Sequence, residues 1–153
     1  ESNKKNYKII EVLVKKNIPI MGHIGYTPQF KKKFKIEGTT KTEAAKLLKE
    51  AKSIQNAGAF SIVLECISPY AAKLITNNIT IPTIGIGSSS YCDGQILVTD
   101  DMLGFSGFYP KFVKKYANLN SIIAKATKKY TKEVKLNKFP SKTNFLYGTR
   151  NKR

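Results

Sequence analysis

The sequence predicts an α/β protein with a parallel sheet, about half of a (βα)8 barrel of the TIM type. Three observations predict it. Short apolar runs of strand length alternate with segments of helical periodicity. The 153 residues suit one domain, whereas a whole barrel typically takes about 250. His23 and Glu65 fall where buried strands end, and barrel active sites are built at the carboxyl ends of strands. A small doubly wound sheet would also fit the alternation.

Each element has its own signal. Tyr7 to Lys16 reads as a helix, dense in Ile, Val and Leu but wetted by Lys8, Glu11, Lys15 and Lys16. Ile18 to His23 reads as a short buried strand with Pro19 near its start. Residues 24–40 read as a long basic loop. Thr40 with Glu43 three residues on is a capping box, opening a helix with Ala44, Ala45, Leu47, Leu48, Ala51 and Ile54 at helical spacing. Gly58 stands where a left-handed cap closes that helix. Phe60 to Glu65 is the second strand, its apolar centre suggesting cover on both faces. A short helix runs from about Pro69 to Asn77-Asn78, and Ile81 to Gly87 is the third strand. Gln95 to Thr99 is the fourth strand, and Asp100 to Pro110 reads as a loop. Helices near Pro110–Tyr116 and Asn120–Leu136 follow, the second stopped by Pro140.

Composition excludes several classes. Hydrophobic residues are 41% against 24% charged, too apolar for a disordered chain. No apolar run reaches the roughly 20 residues that span a bilayer, and no secretory signal is visible, so a cytoplasmic protein is expected. Cys66 and Cys92 are too few for a disulfide framework or a four-thiolate zinc site. The net charge of +17 looks like a nucleic-acid signal, but Arg150 and Arg153 are the only arginines among 27 basic residues. The chain is rich in Lys, Asn and Ile, as AT-rich codons dictate. Specific nucleic-acid binding is therefore not expected, although non-specific polyanion binding at low salt is. The first residue is Glu1, so a fragment of a longer chain is expected.

Several motifs stand in order. They are Met21-Gly22-His23-Ile24-Gly25-Tyr26-Thr27-Pro28-Gln29, Ala57 to Cys66, Ile81 to Gly87, Cys92-Asp93-Gly94-Gln95, Asp101 to Gly104, Pro110 to Lys114, and Phe139-Pro140. Together they closely resemble the ketopantoate (3-methyl-2-oxobutanoate) hydroxymethyltransferases over residues 1–146. The resemblance implies a (βα)8 barrel of which strands 5–8 and their helices lie here, and strands 1–4 upstream. It implies transfer of a hydroxymethyl group from 5,10-methylenetetrahydrofolate to 3-methyl-2-oxobutanoate through a magnesium-stabilised enolate. The product, ketopantoate, leads to pantothenate and coenzyme A. It also implies a large ring-like homo-oligomer, a decamer.

The site residues follow the same motifs. The Glu of the family's VLE segment, its proton acceptor, corresponds to Glu65, which follows the apolar Ile62-Val63-Leu64. A metal-associated family Glu stands as far before the motif His as Glu1 stands before His23, so Glu1 is the expected magnesium ligand. Its oxygens suit that hard cation and the cysteines do not. The other ligands would lie upstream. His23 is expected to line the substrate pocket, or equally to hold the loop. Asp93, Gly85, Gly87 and Gly94 are expected to shape the rim. Three features depart from the family: a shortened segment after Gln29, Ser88-Ser89 in place of Ala-Gly, and Asp100 in place of a His. If that Gly requires positive φ, Ser89 is strained there. Competing readings are another magnesium-dependent 2-oxo-acid carbon–carbon bond enzyme and an incomplete fragment that binds polyanions by charge. Half a barrel exposes two long strand edges, so the chain by itself is expected neither to fold stably nor to turn over.

Overall fold

A computed structural model describes residues 6–27 and 35–145. The chain divides into two compact units, Glu1–Leu97 and Val98–Arg153. The first runs α1 (Tyr7–Lys15), β1 (Met21–Gly25), α2 (Lys41–Asn56), β2 (Ser61–Glu65), α3 (Pro69–Thr76), β3 (Thr83–Ile86) and β4 (Gly94–Gln95). All strand pairs are parallel, in the order β1-β2-β3-β4. A doubly wound sheet reverses its strand order at a switch point, and this sheet has no reversal.

Side chains alternate across a strand, so each strand has two distinct faces. A Cβ on Gly22 would lie 2.4 Å from Ile54 Cγ2, which places the Gly22 face of β1 against α2. Ile24, Ile62 and Leu64 share that face and pack with Ala44, Leu47, Ala51, Ile54, Ala71, Ala72 and Ile75. Each fully buried Ile or Leu here is worth roughly 1.5–3 kcal/mol. The opposite face carries His23, Val63, Glu65, Ile84 and Ile86, all partly exposed. The apolar centre of β2 therefore reflects helix cover on one face, not two.

Local chemistry sets the element ends. Thr40 caps α2, its Oγ1 accepting from the Glu43 N–H at 3.1 Å. The return arm of the box lands one residue early: Glu43 Oε2 accepts from the N–H and hydroxyl of Thr39, each at 3.0 Å. Gly58, at φ +94, closes α2 with paired bonds from Gly58 N–H to Gln55 O and from Ala59 N–H to Ile54 O. Asn17, at φ +58, closes α1 the same way and commits the Ile18 N–H to Leu13 O. Pro19 has no N–H to offer. The first strand therefore begins at Met21 and extends to Gly25, later than the sequence pattern suggests.

Lys35 Nζ lies 2.8 Å from Glu43 Oε1. The Lys35 bond first, then those of Thr39, hold the Glu43 carboxyl down to about 2, against an ordinary 4.5. A carboxylate depressed in the folded state stabilises it above the ordinary value, and that contribution disappears as pH falls through about 2. Carbon-13 NMR of the side-chain carboxyls should give a Glu43 midpoint near 2, and Lys35→Ala should move it upward. A midpoint unmoved by Lys35→Ala would contradict the pairing.

The second unit holds α4 (Thr99–Met102), α5 (Leu119–Lys135) and a 3-10 turn at Lys142–Asn144. The fourth strand ends at Gln95, and Val98 already caps α4 where a strand end and loop are predicted. The helix predicted at Pro110–Tyr116 is reduced to one turn, from Val113 N–H to Pro110 O. So short a helix is marginal without packing. Lys114 and Lys115 lie over Tyr116 and Tyr109 instead. Asn137, at φ +53, closes α5 ahead of Pro140. Among the described residues, no helix is long and apolar enough to cross a membrane.

Candidate active site

Glu65 is the last residue of β2, as the sequence predicts. His23 is not at a strand end; it is the middle residue of β1, beside Val63. Both point to the face away from the helices. The residue opposite Glu65 on β1 is Gly25, and on β3 it is Ile86. Gly25 presents no side chain, so the side toward β1 is open to the Glu65 carboxylate. There His23 Nε2 stands 3.0 Å from Glu65 Oε2. The two atoms are at contact distance without the alignment of a full hydrogen bond. The two side chains are 21% and 23% exposed, enough for a small molecule to reach them.

The backbone around Glu65 is held at four points. Its carbonyl accepts from the Tyr26 N–H at 2.8 Å. Cys66 follows in the left-handed conformation at φ +52, turning the chain off the sheet. The Cys66 N–H donates to Ile86 O, and its carbonyl accepts from the Glu37 N–H. Ser88 joins the loop after β3 to the end of β2: its hydroxyl accepts from the Ile67 N–H and donates to Leu64 O. Ser88 thus has a positioning use that the sequence comparison with Ala-Gly did not suggest. Ser89 does not adopt positive φ, so the strain expected there is absent; Gly87 takes the left-handed conformation at φ +59.

Gly25 is the other residue whose importance the sequence understated. It has φ +99, and a Cβ there would lie 2.1 Å from Glu65 O. Its signal was its place in the Gly-His-Ile-Gly run at a strand end. Asp93 acts below the rim as a latch: its Oδ2 accepts from the Thr83 N–H and hydroxyl at 2.8 and 2.9 Å, tying β4 to β3. Cys66 is 2% exposed. Burial, then the nearby Glu65 charge, pushes its thiol up to about 11. It stays protonated at neutral pH and is no nucleophile.

Among the described residues, no group of three or more His, Cys, Asp or Glu side chains is placed to hold a metal ion. Glu1, the expected magnesium ligand, lies outside the described residues, as do Pro28 and Gln29 of the motif. The described residues therefore make no magnesium site by themselves. What they do assemble is a carboxylate and an imidazole on the open, partly apolar face of a parallel sheet. Such a pair can accept and hold a proton from a small acid-bearing substrate.

The chain is similar to known proteins over most of its length. The family model described as ketopantoate hydroxymethyltransferase matches residues 1–142. The chain is 46% identical over 142 residues to the 3-methyl-2-oxobutanoate hydroxymethyltransferase of Pelagibacter ubique, covering 93% of this chain and 55% of that protein. It is 53% identical over 135 residues to the proteins of that name from Clostridium botulinum and Enterococcus faecalis, covering 86% of this chain and 49% of each. The chain spans about half the length of the curated relatives it matches. On the match over residues 1–142, the chain belongs to the ketopantoate hydroxymethyltransferase family.

Proposed function

We propose that this chain is the carboxyl-terminal half of an enzyme that moves a hydroxymethyl group from 5,10-methylenetetrahydrofolate onto 3-methyl-2-oxobutanoate. The product is 2-dehydropantoate, on the route to pantothenate. The observation that carries the reading is Glu65, at the carboxyl end of β2 on the face free of helices, in a chain of this family. A C–H beside a ketone is a weak acid, so its removal needs a base held against it. Glu65 takes the C3 proton, and the resulting enolate carbon attacks the one-carbon unit. The methylene carbon is bonded to two folate nitrogens: the carbon–carbon bond forms as one carbon–nitrogen bond breaks, and water displaces the second nitrogen and becomes the product's hydroxyl group. The two nitrogens keep the electron pairs and end protonated, one by the proton from C3 that Glu65 held and one by a proton from the water. Val63, Ile84 and Ile86 offer the substrate's isopropyl group an apolar floor.

The unreversed order β1-β2-β3-β4 and the one-sided helices support an arc of a barrel, strands 5–8, with His23 and Glu65 facing inward. Magnesium belongs to the proposal with Glu1 as one ligand and the rest from outside this chain; it would supply a Lewis acid to the substrate's oxygens. The proposal extends to a homo-oligomer, no specific nucleic-acid partner and a cytoplasmic setting. Both cysteines are free and buried, which suits a reducing compartment.

The test joins this chain to the half of the Enterococcus faecalis relative that it does not match. Supplied with magnesium, the oxo acid and methylenetetrahydrofolate, the joined protein should form 2-dehydropantoate, detected by mass spectrometry. A folded joined protein that forms none would contradict the proposal. One that exchanges the C3 proton but forms no product would point to a different 2-oxo-acid enzyme.

A further inference from the structure

We infer that His23 is a positioning residue for Glu65, acting through that carboxylate and not through the substrate. The inference rests on the assignment of Glu65 as base and goes beyond it. Three observations support it. His23 Nε2 is 3.0 Å from Glu65 Oε2, while the two residues stand diagonally across β1 and β2, so both side chains reach toward one point. Gly25, directly opposite Glu65, leaves that diagonal open, and Ile86 occupies the equivalent place on β3. Val63 lies beside His23 and two residues before Glu65, giving the pair an apolar flank in which a polar contact is stronger than in water.

A strand-end carboxylate has rotamers that swing it away from the face. An imidazole at its oxygen selects the rotamer that keeps it over the sheet. Among the described residues, β2 contributes Glu65, with the protonated thiol of Cys66 behind it, and β3 contributes Ile84 and Ile86. Behind β1, α2 packs on the opposite face.

Two variants separate this role from substrate binding. His23→Gln keeps an N–H near the Nε2 position; His23→Ala removes it. In the joined protein, His23→Ala should slow C3 proton exchange by about 30–100-fold in kcat, with KM for the oxo acid changed less than about twofold. His23→Gln should recover most of that loss. On a Glu65→Gln background, His23→Ala should cost nothing further. A raised KM with unchanged kcat would overturn the inference in favour of substrate contact, and so would exchange unaffected by His23→Ala.

A second readout needs no turnover and covers a His23→Ala protein that fails to fold. His23 is the one histidine of this chain, so its imidazole proton resonance can be assigned by its loss in His23→Gln. In the folded parent its ring protons should show nuclear Overhauser contacts to the side-chain protons of Glu65, identified by their loss in Glu65→Gln. Their absence would refute the pairing. Contacts present in a parent protein that exchanges no C3 proton would uphold the pair and sink the assigned reaction instead.

Discussion

Replacing Glu65 by Gln is expected to lower hydroxymethyl transfer by the joined protein about a thousandfold, with folding unchanged. General-base catalysis is worth roughly 10²–10⁴ in rate, and the amide keeps the shape of the carboxylate while losing its basicity. Folding should survive because Glu65 is not in the core. Its neighbours Ile62 and Leu64 are buried under α2 and α3, while its own side chain is partly exposed on the other face. Its backbone carbonyl, held by the Tyr26 N–H, is untouched by the change. A Glu65→Gln protein that keeps near-parental turnover, with identical thermal unfolding, would remove Glu65 from the base role.

Gly25→Ala is expected to be the most damaging single methyl group in the first unit. Gly25 sits at φ +99, a conformation that side-chain-bearing residues rarely adopt. The added Cβ would be 2.1 Å from the Glu65 carbonyl oxygen and 2.8 Å from Ile67 Cγ1. Neither neighbour can yield easily. The carbonyl is fixed by the Tyr26 N–H, and Ile67 is 1% exposed. Backbone strain and overpacking act together, so a loss of roughly 3 kcal/mol or more is expected. The damage also falls on the backbone that aims Glu65, so activity should fall even at temperatures where the protein remains folded. Denaturant unfolding of Gly25→Ala beside Gly25→Ser checks this; a loss under about 1 kcal/mol would mean that the β1–β2 junction relaxes freely.

Legibility followed range. The cap at Thr40 and the stop at Gly58 depend on a few adjacent residues, and both were readable. The strand-end place of Glu65 was readable from the apolar run before it, whereas its role as base was legible only through the resemblance of the Val63-Leu64-Glu65 segment to the family. The start of β1 was not readable, because it depends on the Asn17 turn spending the Ile18 N–H on Leu13. The apolar run from Ile18 cannot reveal that commitment. The helix near Pro110 failed because periodicity over so few residues is cheap, and lysine–tyrosine stacking competes with it. His23 was placed at a strand end by a boundary error of about two residues. That error hid its real relation: it reaches Glu65 diagonally from mid-strand. Ser88 was seen only as a departure from Ala-Gly, because its use, joining Leu64 O to the Ile67 N–H, spans more than 20 residues of chain. Glu1 rests on register with the family, and lies outside the described residues.

The central claim is that Glu65 removes the C3 proton before any one-carbon unit is present. Proton NMR of 3-methyl-2-oxobutanoate in deuterium oxide, with magnesium and the joined protein but no folate, tests it directly. The C3 proton signal should wash out in the parent protein and persist with Glu65→Gln. Equal washout in both proteins, or none in a parent that still makes 2-dehydropantoate once folate is added, would contradict the account.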